Sequence, residues 1–432
     1  MSNVAIDTRR EPGFAEVAEQ GEGGGGFIPP LPRISIQAFC ETPDVQRTLA
    51  EASSDRRAQR AQVTVQMGGI GAAIEFYEEA PTPNVIIVES MAPGASLLDN
   101  LDHLAMHCDA GTRVIVIGHA NDVLLYRQLM QRGVSDYLIA PISTRDALSA
   151  LGNLYAAEDA APLGRTIAFV GAKGGVGAST IAHNIAWSIS QDLRKNVVIC
   201  DLDLPFGTAG LDFNQDPAQG VAEAVFSPDR LDENFIDRLH AKLSDRLSLM
   251  AAPATLDREY DFDGMAFDSL ISLVRRQVPC VVLDVPHVWT AWAKQTLIAA
   301  DDVVVVAAPD LANLRNAKNL IDLLTAARPN DRPPFLVLNQ TGMQKRPEIQ
   351  PRDFANALSV EPTAIIGFDA PLFGMASNNG QMIAEAQPKA KPAEIFRDLA
   401  EVLMGRAETR KTKKSPLQPL LDRLRRKSGD NE

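Results

Sequence analysis

Two regimes of hydrophobic patterning divide the chain. Between residues 32 and 151, short β-branched runs (RISIQAF, QVTVQM, NVIIVES, RVIVIGH, DYLIAP) are separated by stretches of helical periodicity such as GAAIEFYEEA and NDVLLYRQLMQRG. Strands alternating with helices predict βαβ units and a parallel sheet, here of five strands. Beyond residue 163 the alternation restarts with longer, wholly apolar runs: TIAFVGA, NVVICDLDL, LSLMAAP, CVVLDVP, DVVVVAAP, PFLVLNQ and AIIGFD. Runs without polar alternation are buried on both faces, as at the centre of a doubly wound sheet. The expected fold class is α/β, with two doubly wound parallel-sheet domains over residues 32–151 and 164–404.

The remaining stretches read as connections. EQGEGGGGFIPPLP cannot hold a regular element, so residues 1–31 are expected to form a flexible leader and order to begin near Pro32. AAEDAAPLG, residues 156–164, marks the linker expected over residues 152–163. In the tail, residues 405–432, Leu417, Leu420, Leu421 and Leu424 fall at i, i+3, i+4, i+7 beside Arg423, Arg425, Arg426 and Lys427. That is a basic amphipathic helix, limited by Pro419 to its C-terminal part. It suits contact with an anionic membrane; a solvated tail or a partner-docking helix are the alternatives.

Charge sharpens this division. The net charge is −13, yet the tail holds nine Lys/Arg against four Asp/Glu, which leaves −18 for the rest. An acidic body argues against coating nucleic acid, so DNA is not an expected partner, and any polyanion would meet the tail. The four cysteines, Cys40, Cys108, Cys200 and Cys280, are scattered as in reduced, cytoplasmic proteins. The N-terminus lacks an apolar signal core, and no run approaches the roughly 18 residues of a membrane span. His103 and His107, at i, i+4 with Cys108 adjacent, have metal-ligand spacing but no second pair of ligands, and read as structural.

The chemistry concentrates in TIAFVGAKGGVGAST, an apolar strand, a glycine-rich turn and then the apolar-periodic helix TIAHNIAWSIS. Gly174, Gly175 and Gly177 let consecutive backbone N–H groups face inward, and the helix adds its positive end, which makes an anion cradle for phosphates spanning Gly174 to Thr180. Ser179 falls where a hydroxyl holds magnesium. Against the GxxxxGK(S/T) template, Ala172 replaces the first glycine and Ala178 the lysine, while Lys173 stands early in the loop.

Two resemblances follow from these motifs. The order and spacing of the first domain, including QRGVSDYLIAPIS, resemble a response-regulator receiver. The receiver's chemistry needs an aspartate, further acids, a Ser/Thr and a lysine. Here Glu89 ends the third strand, Gly118 follows the fourth, Ala140 precedes Pro141, and Glu41 is the acid near the first strand. Phosphotransfer is therefore not expected. The domain reads as an interaction surface, the alternative being residual regulation through a permanently charged Glu89.

KGGVG followed by a small residue resembles the deviant Walker A motif of the ParA/MinD ATPase family. The resemblance implies ATP and Mg2+ as cofactors, an ATP-dependent homodimer, and Lys173 reaching the partner's nucleotide. It makes Asp203, in VVICDLDLPFGTAGLDF, the acid that orients the attacking water, and Asp284, in CVVLDVPHVW, a magnesium ligand through water, with Ser179 and Asp203 completing the metal set. Asn339, in PFLVLNQTGMQKRPEI, and Pro371, in FDAPLFGMASNNGQMIAE, become adenine contacts, and Val176 and Ala178 complete the loop. Loss of the later lysine implies hydrolysis slowed by about 10²–10³ or more while binding survives. The full combination, with LRNAKNLIDLL, resembles the CpaE/TadZ group of bacteria that build Tad/Flp-type pili. That implies a cytoplasmic, often polar factor partnered with the pilus assembly machinery at the inner membrane. A working positioning ATPase stimulated by DNA or membrane, and a nucleotide-free scaffold, are the alternatives.

Overall fold

The computed structural model of the protein describes residues 28–155 and 163–405; most of the leader and linker, and the tail from residue 406, lie outside the described residues. The first sheet holds β1 (Ser35–Cys40), β2 (Gln62–Met67), β3 (Val85–Ser90), β4 (Arg113–Gly118) and β5 (Asp136–Ile139). All pairs are parallel, in the order β2-β1-β3-β4-β5. Helices α1 (Pro43–Ser53), α2 (Gly69–Tyr77), α3 (Gly94–Ala105), α4 (Val123–Gln131) and α5 (Thr144–Tyr155) follow the strands in turn. Alternate residues of the central strand feed two cores, Val85 and Ile87 on one face and Ile86 and Val88 on the other, so the sheet is covered on both sides.

The second sheet has eight strands: β6 (Arg165–Gly171), β7 (Val197–Asp201), β8 (Ala241–Lys242), β9 (Leu247–Met250), β10 (Cys280–Val285), β11 (Asp302–Ala307), β12 (Phe335–Thr341) and β13 (Pro362–Gly367). Their order is β13-β12-β11-β6-β10-β7-β9-β8, parallel except for β8 against β9. Again one strand serves two cores: Ile167 and Phe169 of β6 point to one face, Ala168 and Val170 to the other. Chain order reverses on either side of β6, and the segment leaving its C-terminal end leads into α6 (Ala178–Gln191) at this switch point, where open α/β sheets bind ligands.

Three expectations need correction, and one strand was unforeseen. The end of the leader is packed: Ile28 and Leu31 are buried in the first domain's core, and the Leu31 amide donates to Arg57 O at 2.8 Å. Helix α5 runs four residues into the expected linker because Gly152 is buried there, facing Pro29. Strand β8 was not foreseen, as two residues carry no periodicity. Helix α3 stops at Ala105, so His107 lies in the following turn and His103 and His107 do not share a helix face.

The two sheets meet through buried charge. Arg56 donates to Asp331 at 2.7 Å and to Ala299 O at 2.7 Å, Arg57 pairs with both Asp55 and Asp331, and Asn330 donates to Asp55 at 2.9 Å. Arg328 joins Asp331 at 3.0 Å from within the second domain. Asp331, Arg56, Arg57 and Arg328 all have side chains less than a tenth exposed. This junction lies near the N-terminal ends of β6, β11 and β12, opposite the phosphate-loop end.

Candidate nucleotide site

The loop between β6 and α6 is shaped by side chains that hold its carbonyls. His287 contacts Gly171 O at 2.8 Å through Nδ1, and Asn316 donates to Ala172 O at 2.9 Å. Gln340 donates to Gly175 O at 2.9 Å and Asn339 to Val176 O at 2.8 Å. With its carbonyls so engaged, the loop has less conformational freedom to lose when an anion binds. Gly177 caps α6 with φ +85°, and a Cβ there would stand 2.7 Å from the Asn339 amide nitrogen, so only glycine fits. The first-turn amides of α6 have no intrahelical partners, which is the electrostatic basis of an anion site.

At that helix end the Ser179 hydroxyl lies 3.2 Å from Asp284 Oδ1. The structure thus brings Ser179 and Asp284 together. Asp284 is buried at the end of β10, in register with Asp201 of β7. Asp201 is structural: its carboxylate accepts the amides of Asp203 and Ala209, both at 3.1 Å, and so folds the segment after β7. Burial first, then the Asp284 charge, raises the Asp201 pKa to about 7. Asp203 sits beside them, its own pKa raised by burial and by Asp284 although the Phe206 amide opposes the shift.

The other expected residues are distributed around this centre. Lys173 is exposed on the loop; Asp310, the cap of helix Leu311–Ala327, has its pKa lowered against the effect of burial by hydrogen bonds from Asn313, and the Lys173 charge adds to them. Gly174 and Gly175 are exposed, Val176 is buried, and Ala178, Ser179 and Thr180 form the first turn of α6, half-buried. Asn339 has its amide nitrogen committed to the loop, so it braces the cradle. Pro371 is exposed in the first turn of helix Ala370–Asn378, after β13, the neighbour of β12. A cavity of about 340 Å³ adjoins the start of the loop, between His287–Trp289 and Asn316–Leu323; Ser179 and Asp284 do not line it.

Sequence reasoning missed His183, His287, Asn316 and Gln340. His183 lies one turn after Ser179 on α6 and is fully buried. Its Nδ1 is 2.8 Å from Asp212 Oδ2, and its Nε2 is 3.3 Å from Asp284 Oδ2, close enough for charge pairing though outside hydrogen-bond geometry. Burial alone would lower its pKa; Asp212 and Asp284 outweigh that and raise it to about 10. A polar residue on the inward face of an apolar helix was the signal available.

The receiver-like domain holds no comparable site. Glu89 is buried at the end of β3, and its carboxylate accepts the amides of Glu41 and Thr42 at 2.7 and 2.8 Å and the Thr42 hydroxyl at 2.7 Å, with His119 at 3.1 Å. The charge is turned inward as a brace, which argues against its display as a signal. A Cβ at Gly118 would meet the Tyr137 hydroxyl at 2.2 Å; that hydroxyl fills the space and donates to Ala120 O at 2.8 Å. Among the described residues no group of three or more His, Cys, Asp or Glu is placed to hold a metal ion, and no helix is long and apolar enough to cross a membrane.

Comparison with known proteins agrees with this geometry. Residues 164–333 match the family model described as an AAA domain. The septum site-determining protein MinD of Synechocystis is 24% identical over 274 residues, covering 61% of this chain and 98% of the relative. A ParA family ATPase of Chlorobium tepidum matches at 25% identity over 55% of this chain and 98% of its own, with a TM-score of 0.50. The pilus assembly protein CpaE of Caulobacter crescentus is 43% identical, over 30% of this chain and 98% of its own, with a TM-score of 0.29. Over its second domain the chain is thus similar to the ATPases of the ParA/MinD family, with a CpaE-type likeness in sequence over a further part of its length.

Proposed function

We propose that the protein is an ATP-binding, ATP-dependent dimerising localisation factor for Tad/Flp-type pilus assembly, with slow ATP hydrolysis. The observation that carries this reading is the contact of Ser179 with Asp284 at the mouth of a phosphate loop whose carbonyls are pinned by four side chains. The donor set fits magnesium, a hard cation that takes oxygen ligands: a hydroxyl and a buried carboxylate 3.2 Å apart, with Asp203 alongside. The metal, when bound with ATP, neutralises charge on the phosphates.

The chain's own residues then divide the work. The Gly174–Thr180 backbone binds phosphate oxygens, Ser179 and Asp284 hold the metal, and Asp203 orients water. Asn339 and Pro371 flank the base. Lys173, exposed at the loop, is free to serve a neighbouring subunit's nucleotide. Ala178 supplies no amine where the family's lysine stands, so binding is retained and turnover is slow. The pilus role rests on likeness to CpaE proteins of pilus assembly. A cytoplasmic, polar location beside the inner membrane belongs to the same reading, with the basic tail as the membrane contact.

Fluorescent ATP binding with magnesium, measured together with mass in solution for the wild type, Lys173→Ala and Asp284→Ala, tests the proposal. The expected result is saturable binding and an ATP-dependent shift from monomer to dimer, the shift being lost in Lys173→Ala and the magnesium dependence in Asp284→Ala. No binding by the wild type at high nucleotide would refute it in favour of a scaffold. Rapid hydrolysis stimulated by DNA or lipid would favour a working positioning ATPase.

A further inference from the structure

His183 is a buried imidazole with no role in the loop, the base contacts or the sheet. Both of its nitrogens face carboxylates from other parts of the chain. Nδ1 lies 2.8 Å from Asp212, at the end of the short helix Ala209–Asp212, and Nε2 lies 3.3 Å from Asp284 Oδ2 on β10. The opposite oxygen of Asp284 faces Ser179. Each oxygen of this buried carboxylate is therefore addressed by one residue of α6, spaced four positions apart and so on the same helix face. The Phe213 ring closes the other side, 5.7 Å from the imidazole.

From this arrangement we infer that His183 is a positioning residue: the Asp212–His183 pair fixes the rotation of the Asp284 carboxylate so that Oδ1 is presented at Ser179 for the metal. The inference rests on the nucleotide-binding reading above. With the imidazole edge 3.3 Å from one oxygen and the Ser179 hydroxyl 3.2 Å from the other, the carboxylate has little room to rotate, and outer partners of a metal ligand typically set metal affinity by 10- to 100-fold. The same contact ties the segment carrying Asp203 to the metal site, because Asp212 belongs to the stretch that Asp201 folds. Phe206 and Leu211, exposed on that stretch, would move with any displacement of Asp212.

The test is a titration of fluorescent ATP binding against magnesium, with binding in EDTA measured alongside. His183→Asn keeps a donor near Asp212 but cannot reach Asp284. It should raise the half-saturating magnesium concentration about 10-fold or more while changing affinity in EDTA by less than about 2-fold. His183→Gln, which reaches further, should recover most of the loss. Asp212→Asn carries the same test if His183→Asn does not fold, since it releases the ring without altering α6, and it should raise the magnesium requirement in the same direction. An unchanged magnesium requirement in these variants overturns the inference, as does an equal loss of affinity with and without metal, the mark of a packing role. Failure of the wild type to bind nucleotide overturns the functional reading and this inference together.

Discussion

Alanine at Gly177 probes the cradle without touching any reactive group. Two costs can be read from the structure. The left-handed backbone at φ +85° penalises a Cβ by about 1–2 kcal/mol. The same Cβ would stand 2.7 Å from the Asn339 amide nitrogen, forcing it from the Val176 carbonyl and leaving a buried acceptor unmatched, for about 1–3 kcal/mol more. The sum is about 2–5 kcal/mol, which corresponds to roughly 5–15 °C in the second domain's unfolding midpoint. The loop supplies its own controls. Gly175 has a similar φ but open space, so alanine there should cost only the backbone share, about 1–2 kcal/mol. Gly174 has neither constraint, and its alanine variant should stay within about 0.5 kcal/mol of wild type. Thermal unfolding followed by circular dichroism, without nucleotide, reads stability alone. In an Asn339→Ala background the Gly177 substitution should cost only its backbone part, because the displaced partner is already gone. Equal shifts for the Gly174 and Gly177 variants, or full additivity with Asn339→Ala, would refute the reasoning.

Other outcomes follow from the same contacts. Ala178→Lys should raise turnover at saturating ATP by about 10²–10³-fold, measured by phosphate release; an unchanged rate would place the slow step elsewhere. Glu89→Gln replaces a carboxylate that receives two amides and a hydroxyl, and should cost about 1.5–3 kcal/mol in urea unfolding. A neutral effect would mean that the carboxylate does not brace the β1–α1 turn. Asp331→Ala removes the shared partner of Arg56, Arg57 and Arg328, at a cost of about 3–5 kcal/mol. Calorimetry should then resolve two unfolding transitions, and an undisturbed single transition would count against the junction as the main coupling.

The strands were legible because the second sheet is buried on both faces, and no surface alternation blurs runs such as DVVVVAAP. The loop was legible because glycines between an apolar strand and an apolar helix have few other uses. Its supports were not: His287, Asn316, Gln340 and Asn339 come from three separate elements, and only the folded sheet brings them to one turn. His183 was hidden for a related reason, since one of several polar residues in a helix does not announce carboxylates 29 and 101 positions away. Ile28 and Leu31 were lost in a glycine- and proline-rich segment whose composition outweighed two apolar side chains.

The ionic junction between the sheets has a consequence for reach. It grips the second domain at the strand starts, while the phosphate loop leaves the opposite end of β6, about 20 Å away for a seven-residue strand. The proposed dimer, if closed across the loops, would therefore carry its two receiver-like domains away from the interface. Such a particle would be bivalent, and two weak head contacts on one array of partners hold far longer than either alone. Nucleotide would then control residence time at an assembly site without altering any contact in the heads.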